Sequence, residues 1–262
     1  MRQRRVGYLT VHAVAVYAFL FAPIAVLVAF SFNRARSGTT WTGFTTHWYD
    51  ALARDAAVAD AFSNTIKVAI ASTLLATVLG TLAAFALARF RFPGRRAYTA
   101  LVLVSLVAPE VVMGIALLVF FRRVADVPLG LGTVILAHVT FCLAFVVIVV
   151  RARLARFDDS LTEAAADLGA TPVQTFTRVV LPLAAPGILG GALLAFVISL
   201  DDVVITFFTS GPGSTTLPLY IFGQVRRGVS PSINALSTIV LFCSLAVLAL
   251  GAIAGQIGRA HV

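Results

Sequence analysis

Six long apolar stretches run through this chain: Leu9–Phe32, Thr65–Ala88, Tyr98–Phe121, Leu131–Val150, Gly187–Phe208 and Ile233–Gly255. A bilayer's hydrocarbon core is about 30 Å thick, which roughly 20 helical residues cross. No water reaches the backbone there, so each stretch is predicted to be an α-helix that satisfies its own amides. Composition agrees: the chain is 60% hydrophobic and 12% charged, whereas a soluble domain is about 45–50% apolar and about 25% charged. The expected fold class is all-α, a polytopic membrane protein with about six transmembrane helices in one domain over residues 1–262.

The net charge of +9 raises nucleic acid as a partner, but the basic residues fall in short groups between apolar stretches, as in membrane-protein loops. Their distribution orients the chain. With the N-terminus in the cytoplasm, the inner segments hold 12 arginines (Arg2, Arg4, Arg5, Arg89, Arg91, Arg95, Arg96, Arg151, Arg153, Arg156, Arg178, Arg259) and the outer segments 7 (Arg34, Arg36, Arg54, Arg122, Arg123, Arg226, Arg227). Both termini are therefore expected inside. The one lysine, Lys67, is expected at the outer end of the second span. The first apolar stretch is longer than a signal-peptide core, and no small-residue cleavage site follows it, so it is read as a retained helix. Cys142 and Cys243 each lie in an apolar run and are read as packing residues.

Two outer loops are long. Residues 33–63 carry Trp41, Trp48 and Tyr49. Two readings stay open for these aromatics: contact with a substrate, or a seat in the interfacial belt. In the segment 209–232, Gly211-Pro-Gly213 forces a turn, and Thr216–Val225 is expected to form a short helix at the outer face.

The loop 151–186 is the most informative region. Ser160-Leu-Thr-Glu163 fits a capping box that starts a short helix through Leu168. Gly169 suits the left-handed residue after it. Thr171-Pro-Val-Gln174 is a second box with Pro172 at the first helical position, and Pro182 and Pro186 are expected to end the helix Pro172–Leu181. Two short helices and a tight turn also outline a helix-turn-helix. Its flanks, however, are spanning helices, and its second helix carries only Arg178 as a base or phosphate ligand. No nucleic-acid partner is expected.

This loop resembles the EAA motif of ABC-importer permeases. Glu163-Ala164-Ala165, three residues, Gly169, nine residues, Val179, one residue and Leu181-Pro182 follow the family pattern, with Val where the pattern has Ile. The resemblance implies a type I importer permease whose coupling loop docks on an ATPase through Glu163, Ala164, Ala165, Gly169, Leu181 and Pro182. A second run, Ser199 through Gly213 followed by Thr216–Tyr220, Arg226–Gly228 and Ile233–Ser237, is similar to the spermidine/putrescine branch and most like its C-type permease subunit. It covers about residues 60–250, with the permease core at about 65–255. Relatives that import other cationic or small organic solutes share parts of it. The implied partners are a second permease subunit, two ATPase subunits, an external solute-binding protein, a polyamine and the bilayer. No cofactor is expected in this chain: it lacks the phosphate-binding G-x-x-x-x-G-K-[ST] loop, so ATP and its Mg would sit on the partner. An intramembrane enzyme is the contrary reading. It is disfavoured because His12, His47 and His261 lie at ends or in loops, His138 stands alone, and no Ser/Lys dyad is buried.

Three acids fall within predicted spans: Glu110, Asp201 and Asp202. A carboxylate at the bilayer centre is costly, at least about 2.5–3.5 kcal/mol on insertion scales, and marks a functional candidate. Counted at 1.5 Å per residue, Glu110 is about 18 Å and Asp201 about 21 Å from the inner ends of their helices. Pro109 is expected to kink the third span. Ser199, Asp202, Thr206 and Thr209 recur as one polar stripe on a helical face, so Asp202 is expected to face the path and Asp201 to be an edge residue or an interface contact. Glu110, Ser199, Asp201, Asp202, Thr206 and Trp48 are the candidate path residues. Pairing of the acids with basic groups on a partner permease is the alternative.

Overall fold

The computed structural model of the chain describes residues 2–35, 40–155, 157–158 and 160–259. Arg36, Arg156 and His261, used in the sequence reading, lie outside the described residues. Among those residues the structure is helical: α1 Arg2–Phe30, α2 His47–Ala53, α3 Ala56–Arg89, α4 Arg95–Val107, α5 Glu110–Val119, α6 Leu131–Leu154, α7 Ser160–Asp167, α8 Pro172–Thr175, α9 Leu181–Asp201, α10 Val204–Thr209, α11 Leu217–Arg227 and α12 Pro231–Arg259. The chain divides into two compact units, Met1–Ala59 with Ile221–Val262, and Asp60–Tyr220.

In the first unit, α12 packs on α1 and α2. The turn after α1 is organised by Asn33, which is fully buried. Its side-chain amide donates to the Thr40 carbonyl at 2.8 Å, and its side-chain oxygen accepts the Thr42 amide at 3.0 Å. The Trp48 indole donates to the Asn33 carbonyl at 2.7 Å. The Trp48 indole thus clips α2 to the end of α1.

In the second unit α6 is the central element, buried on most of its faces against α9, α4 and α10. Val146 shows why the helices approach so closely. A Cβ on Gly80 of α3 would stand 2.8 Å from the Val146 Cβ, and one on Gly191 of α9 would stand 3.3 Å from its Cα. Small residues on both sides let the backbones close on α6, the usual device where lipid removes the hydrophobic drive between helices. Arg95 closes the bend from α3 to α4 by donating to the Leu87 carbonyl at 2.8 Å, one of the acceptors that a helix end leaves unpaired.

Among the described residues four helices are long and apolar enough to span, Thr10–Phe30, Ala56–Arg89, Leu131–Leu154 and Pro172–Asp201. The third expected span is not one helix. It is the pair Arg95–Val107 and Glu110–Val124, bent by 115°. Ala108 and Pro109 are extended, with ψ near 134° and 130°, so the expected kink is a full break. Proline removes an amide donor and disfavours helical backbone at the residue before it. The final apolar stretch lies in α12, whose apolar part within the described side chains is Pro231–Leu245.

The fifth span also departs from expectation at both ends. Pro182 and Pro186 do not stop the helix that starts at Pro172. Residues Phe176–Val180 form a π turn, and the Leu181 amide bonds to the Phe176 carbonyl. The widened turn makes room for the Pro182 ring just beyond it, and the helix continues as α9. Depths counted from Gly187 therefore do not hold. At the other end the helix breaks at Asp202, whose ψ is 131°, before α10 begins.

Candidate functional site

The first candidate site is the elbow from α7 to α9. Helix α7 begins at Ser160, so Ser160 is the first helical residue rather than the cap. The Ser160 amide instead donates to Asp158 Oδ1 at 3.0 Å, and this bond holds the Asp158 carboxyl below its usual range. At the other end the Gly169 amide donates to the Ala166 carbonyl at 2.9 Å and the Ala170 amide to the Ala165 carbonyl at 3.0 Å. That pair of bonds is a Schellman closure, and it needs the positive φ of Gly169, +80°. The second box forms as expected. The Gln174 amide donates to Thr171 Oγ1 at 3.3 Å, and the Thr171 amide donates to Gln174 Oε1 at 2.8 Å. Glu163, Ala164, Gly169, Leu181 and Pro182 are exposed, and Ala165 is half-buried. Leu168 and Val173 flank the glycine at 88% and 71% exposure, an apolar tip held by rigid caps.

The second candidate site is the break between α9 and α10. Asp202 caps α10: its Oδ1 accepts the Ile205 amide at 3.2 Å, and its Oδ2 accepts the Thr206 amide at 2.8 Å and the Thr206 hydroxyl at 2.9 Å. A carboxylate at a helix N-terminus meets unpaired amides and the positive end of the dipole. His138 of α6 reaches the same cluster. Its Nε2 lies 3.0 Å from Thr206 Oγ1 and 3.3 Å from Asp202 Oδ2, and its Nδ1 lies 2.8 Å from Ser199 Oγ. Ser199 Oγ also lies 2.9 Å from Ser72 Oγ on α3. The Thr206 hydroxyl hydrogen is committed to Asp202, so the network assigns a hydrogen to His138 Nε2.

Helical phasing put Ser199, Asp202, Thr206 and Thr209 on one polar stripe, with Asp202 facing the path and Asp201 at its edge. In the isolated chain the stripe packs inward. Ser199, Thr206 and Thr209 are buried, and the Asp202 side chain is only 6% exposed, because the stripe turns inward onto α6. Asp201, the last residue of α9, is exposed. Thr133 of α6 completes the seam by donating to the Thr209 carbonyl at 2.7 Å. Glu110 is exposed in the first turn of α5, and α5 packs along α10, so the two helix breaks belong to adjoining elements. Trp48 belongs to the other unit, where it is half-buried on Asn33.

Sequence reasoning set His138 aside as a lone histidine, more often hydrogen-bonded core than ligand, which is how the structure places it, but named none of its partners and did not single out Ser72. An ionisable residue within a span was the available signal for the histidine. Its partners are remote: Ser199 is 61 positions away and Thr206 is 68.

Known proteins place this arrangement. The family described as binding-protein-dependent transport system inner membrane component matches residues 76–261. The chain is 45% identical over 231 residues to the putrescine transport system permease protein PotI of Escherichia coli K12, covering 86% of this chain and 82% of that one. It is 42% identical over 244 residues to the spermidine/putrescine transport system permease protein PotC of the same strain, covering 93% and 90%. Among solved structures the fold is similar to that of a bacterial ABC transporter that imports the acidic polysaccharide alginate, with TM-score 0.72, 17% identity and 98% of each chain covered. It is also similar to the inward-facing MetNI methionine ABC transporter, with TM-score 0.65, 19% identity, and 84% of this chain and 100% of that one covered. The elbow and the broken spans thus sit on an importer permease fold, and the chain belongs to the family of inner-membrane components of binding-protein-dependent transport systems.

Proposed function

We propose that this chain is a permease subunit of an ATP-driven importer and forms part of the path for polyamines. The supporting relatives carry putrescine or spermidine/putrescine in their names. The observation that carries the reading is Asp201: an exposed carboxylate at the C-terminal end of a helix that stops at Asp202. The last carbonyls of a helix are unpaired and form the negative end of its dipole. A carboxylate there adds charge of the same sign, so the site favours a cation. One carboxylate–ammonium contact at 4 Å is worth about 4 kcal/mol at an effective dielectric of 20. Glu110 and Asp202 are different, since both sit at helix N-termini where their charge is offset.

The partners in this reading are a second permease, two ATPase subunits that bind ATP and Mg, and an external solute-binding protein. The elbow docks on an ATPase through its exposed tip. The arginine bias puts both termini and the elbow in the cytoplasm.

The test is initial uptake of radiolabelled putrescine and spermidine at equal expression. Asp201→Asn lowers uptake about tenfold or more, since even part of that attraction in the transition state is worth a decade. Wild-type uptake in Asp201→Asn would remove the cation path. Loss of co-purification with the second permease would make Asp201 a subunit contact instead. For topology, single cysteines at positions 45 and 213 are labelled from outside in intact cells, and one at 164 is not.

A further inference from the structure

The two helix breaks have different causes. The break between α4 and α5 contains Pro109, which enforces it locally. Residues 200–204, Leu-Asp-Asp-Val-Val, hold neither proline nor glycine. Continuing the helix through them would pair backbone groups that the break leaves open; Asp202 offsets part of that by capping α10 from within the segment, and side chains outside the segment act on the break as well. His138 bridges it. Nδ1 meets Ser199 in the last turn of α9, and Nε2 meets Thr206 in the first turn of α10 and Asp202 in the break itself. The imidazole is completely buried and packs edge-on to Phe141, with ring centroids 5.3 Å apart.

We propose that His138 is the positioning residue of the path, a splint whose two nitrogens hold the halves of the broken α9–α10 helix at a fixed angle and so place Asp201. The placing of Asp201 rests on the polyamine-path reading; the splint itself does not. The hydrogen bonding closes with the ring in either charge state. With Nδ1 as acceptor, Ser72 donates to Ser199 and Ser199 donates to His138. With Nδ1 as donor, the chain runs the other way and ends on the Ala69 carbonyl, 3.4 Å from Ser72 Oγ. The bonding geometry of the splint is therefore the same in either charge state. Other titratable groups near the ring are Asp202, which it touches, and Cys142, one turn along α6.

The experiment uses the assembled importer in lipid nanodiscs without substrate. Cys243, the exposed thiol, is replaced by serine, and buried Cys142 is retained. Nitroxides go on Leu193→Cys in α9 and Phe207→Cys in α10, both exposed sites. Pulsed EPR reads the distance across the break. The expected result is one narrow distance with His138, a broadened or shifted one in His138→Phe, and restoration in His138→Gln. Phenylalanine fills the space without bonding, whereas the glutamine amide offers one donor and one acceptor. Uptake follows the same order, falling about tenfold or more in the phenylalanine variant, as displacement of a positioned group does. An unchanged narrow distance in His138→Phe would overturn the splint, because packing alone then suffices. Broadening in both variants would overturn its hydrogen-bonded basis. Ser199→Ala, which cuts the Nδ1 end, and Thr206→Val, which removes one of the two Nε2 contacts and keeps Asp202, leave the ring in place and give the same reading if His138→Phe does not assemble. Broadening across the break with no polyamine uptake by the unaltered importer would fault the cargo and leave the splint standing.

Discussion

The elbow and the α9–α10 break both interrupt helices, but they are closed in opposite ways. At the elbow the capping bonds among the described residues span a few positions: Ala170 to Ala165, Gln174 to Thr171, Ser160 to Asp158. At the break, Asp202 caps α10 locally, but the bonds that hold the two halves together come from α3 and α6. A locally closed unit keeps its shape while its surroundings move, as a lever requires. A remotely closed break changes shape whenever the helices around it shift, as a path that opens and closes requires.

The largest effect that sharpens this contrast is on the remote seam. Gly191→Leu drives a side chain into the α6 backbone, where even a Cβ would stand 3.3 Å from the Val146 Cα. Overpacking of this kind costs about 1–3 kcal/mol. The melting temperature of the purified chain should fall, while the elbow, which shares none of those contacts, keeps its amide-exchange protection. Equal loss of protection at α7 would show that the two regions are not independent.

Thr133→Val probes the same seam with almost no change in volume. It removes the hydroxyl that the buried Thr209 carbonyl, at 2.7 Å, shares with the Gly130 carbonyl, at 2.8 Å, and that accepts the Gly130 amide at the start of α6. An unsatisfied buried acceptor costs about 1–3 kcal/mol. Exchange at the α10 amides should quicken, with α9 less affected. Unchanged protection of α10 would mean that its end is held by packing.

The contrast also explains what the sequence reveals. The Thr171–Gln174 box and the Gly169 turn were legible because their partners lie within five residues, and residue type nearly dictates geometry at that range. The start at Ser160 was misjudged by one local competitor, Asp158. The stop at Pro182 was misjudged because a π turn widens the helix before the ring. The facing of Asp201 and Asp202 was not legible. Phasing on a continuous helix assumed that no break intervenes, and that break depends on His138 and Ser72, which no spacing rule connects to it. Pro109, by contrast, announced its own break and left only the 115° angle unforeseen.

At the elbow, Gly169→Val tests the lever. A β-branched residue in the left-handed region costs roughly 1–2 kcal/mol. The turn should open without loss of the spanning helices. Substrate-stimulated ATP hydrolysis in proteoliposomes should then fall while subunit assembly persists. Normal stimulation would reduce the loop to a connector.

The smallest expected effect is at Asp158, and its sign follows from the direction of its shift. The carboxyl lies below its ordinary value of 3.8, chiefly because the Ser160 backbone amide bonds to it, with a further contribution from the Ser160 side chain. A group whose folded value is depressed stabilises the folded state fully above its unfolded value and loses that contribution as pH falls through the folded one. Its support for the start of α7 is thus complete near neutrality and disappears only below 3.8. The side chain is fully exposed, so solvent screens the bond and the effect stays local. Protection of the Ser160 and Leu161 amides, referenced to an unstructured peptide at each pH, should fall below 3.8 in the unaltered chain and stay level in Asp158→Ala, which has no carboxyl to titrate. Protection that falls identically in the alanine variant would assign the effect to another acid. The bonds that close the Gly169 end run from backbone to backbone and use no titratable side chain, Asp167 included, so protection there should persist through the same pH range and leave α7 frayed at one end only.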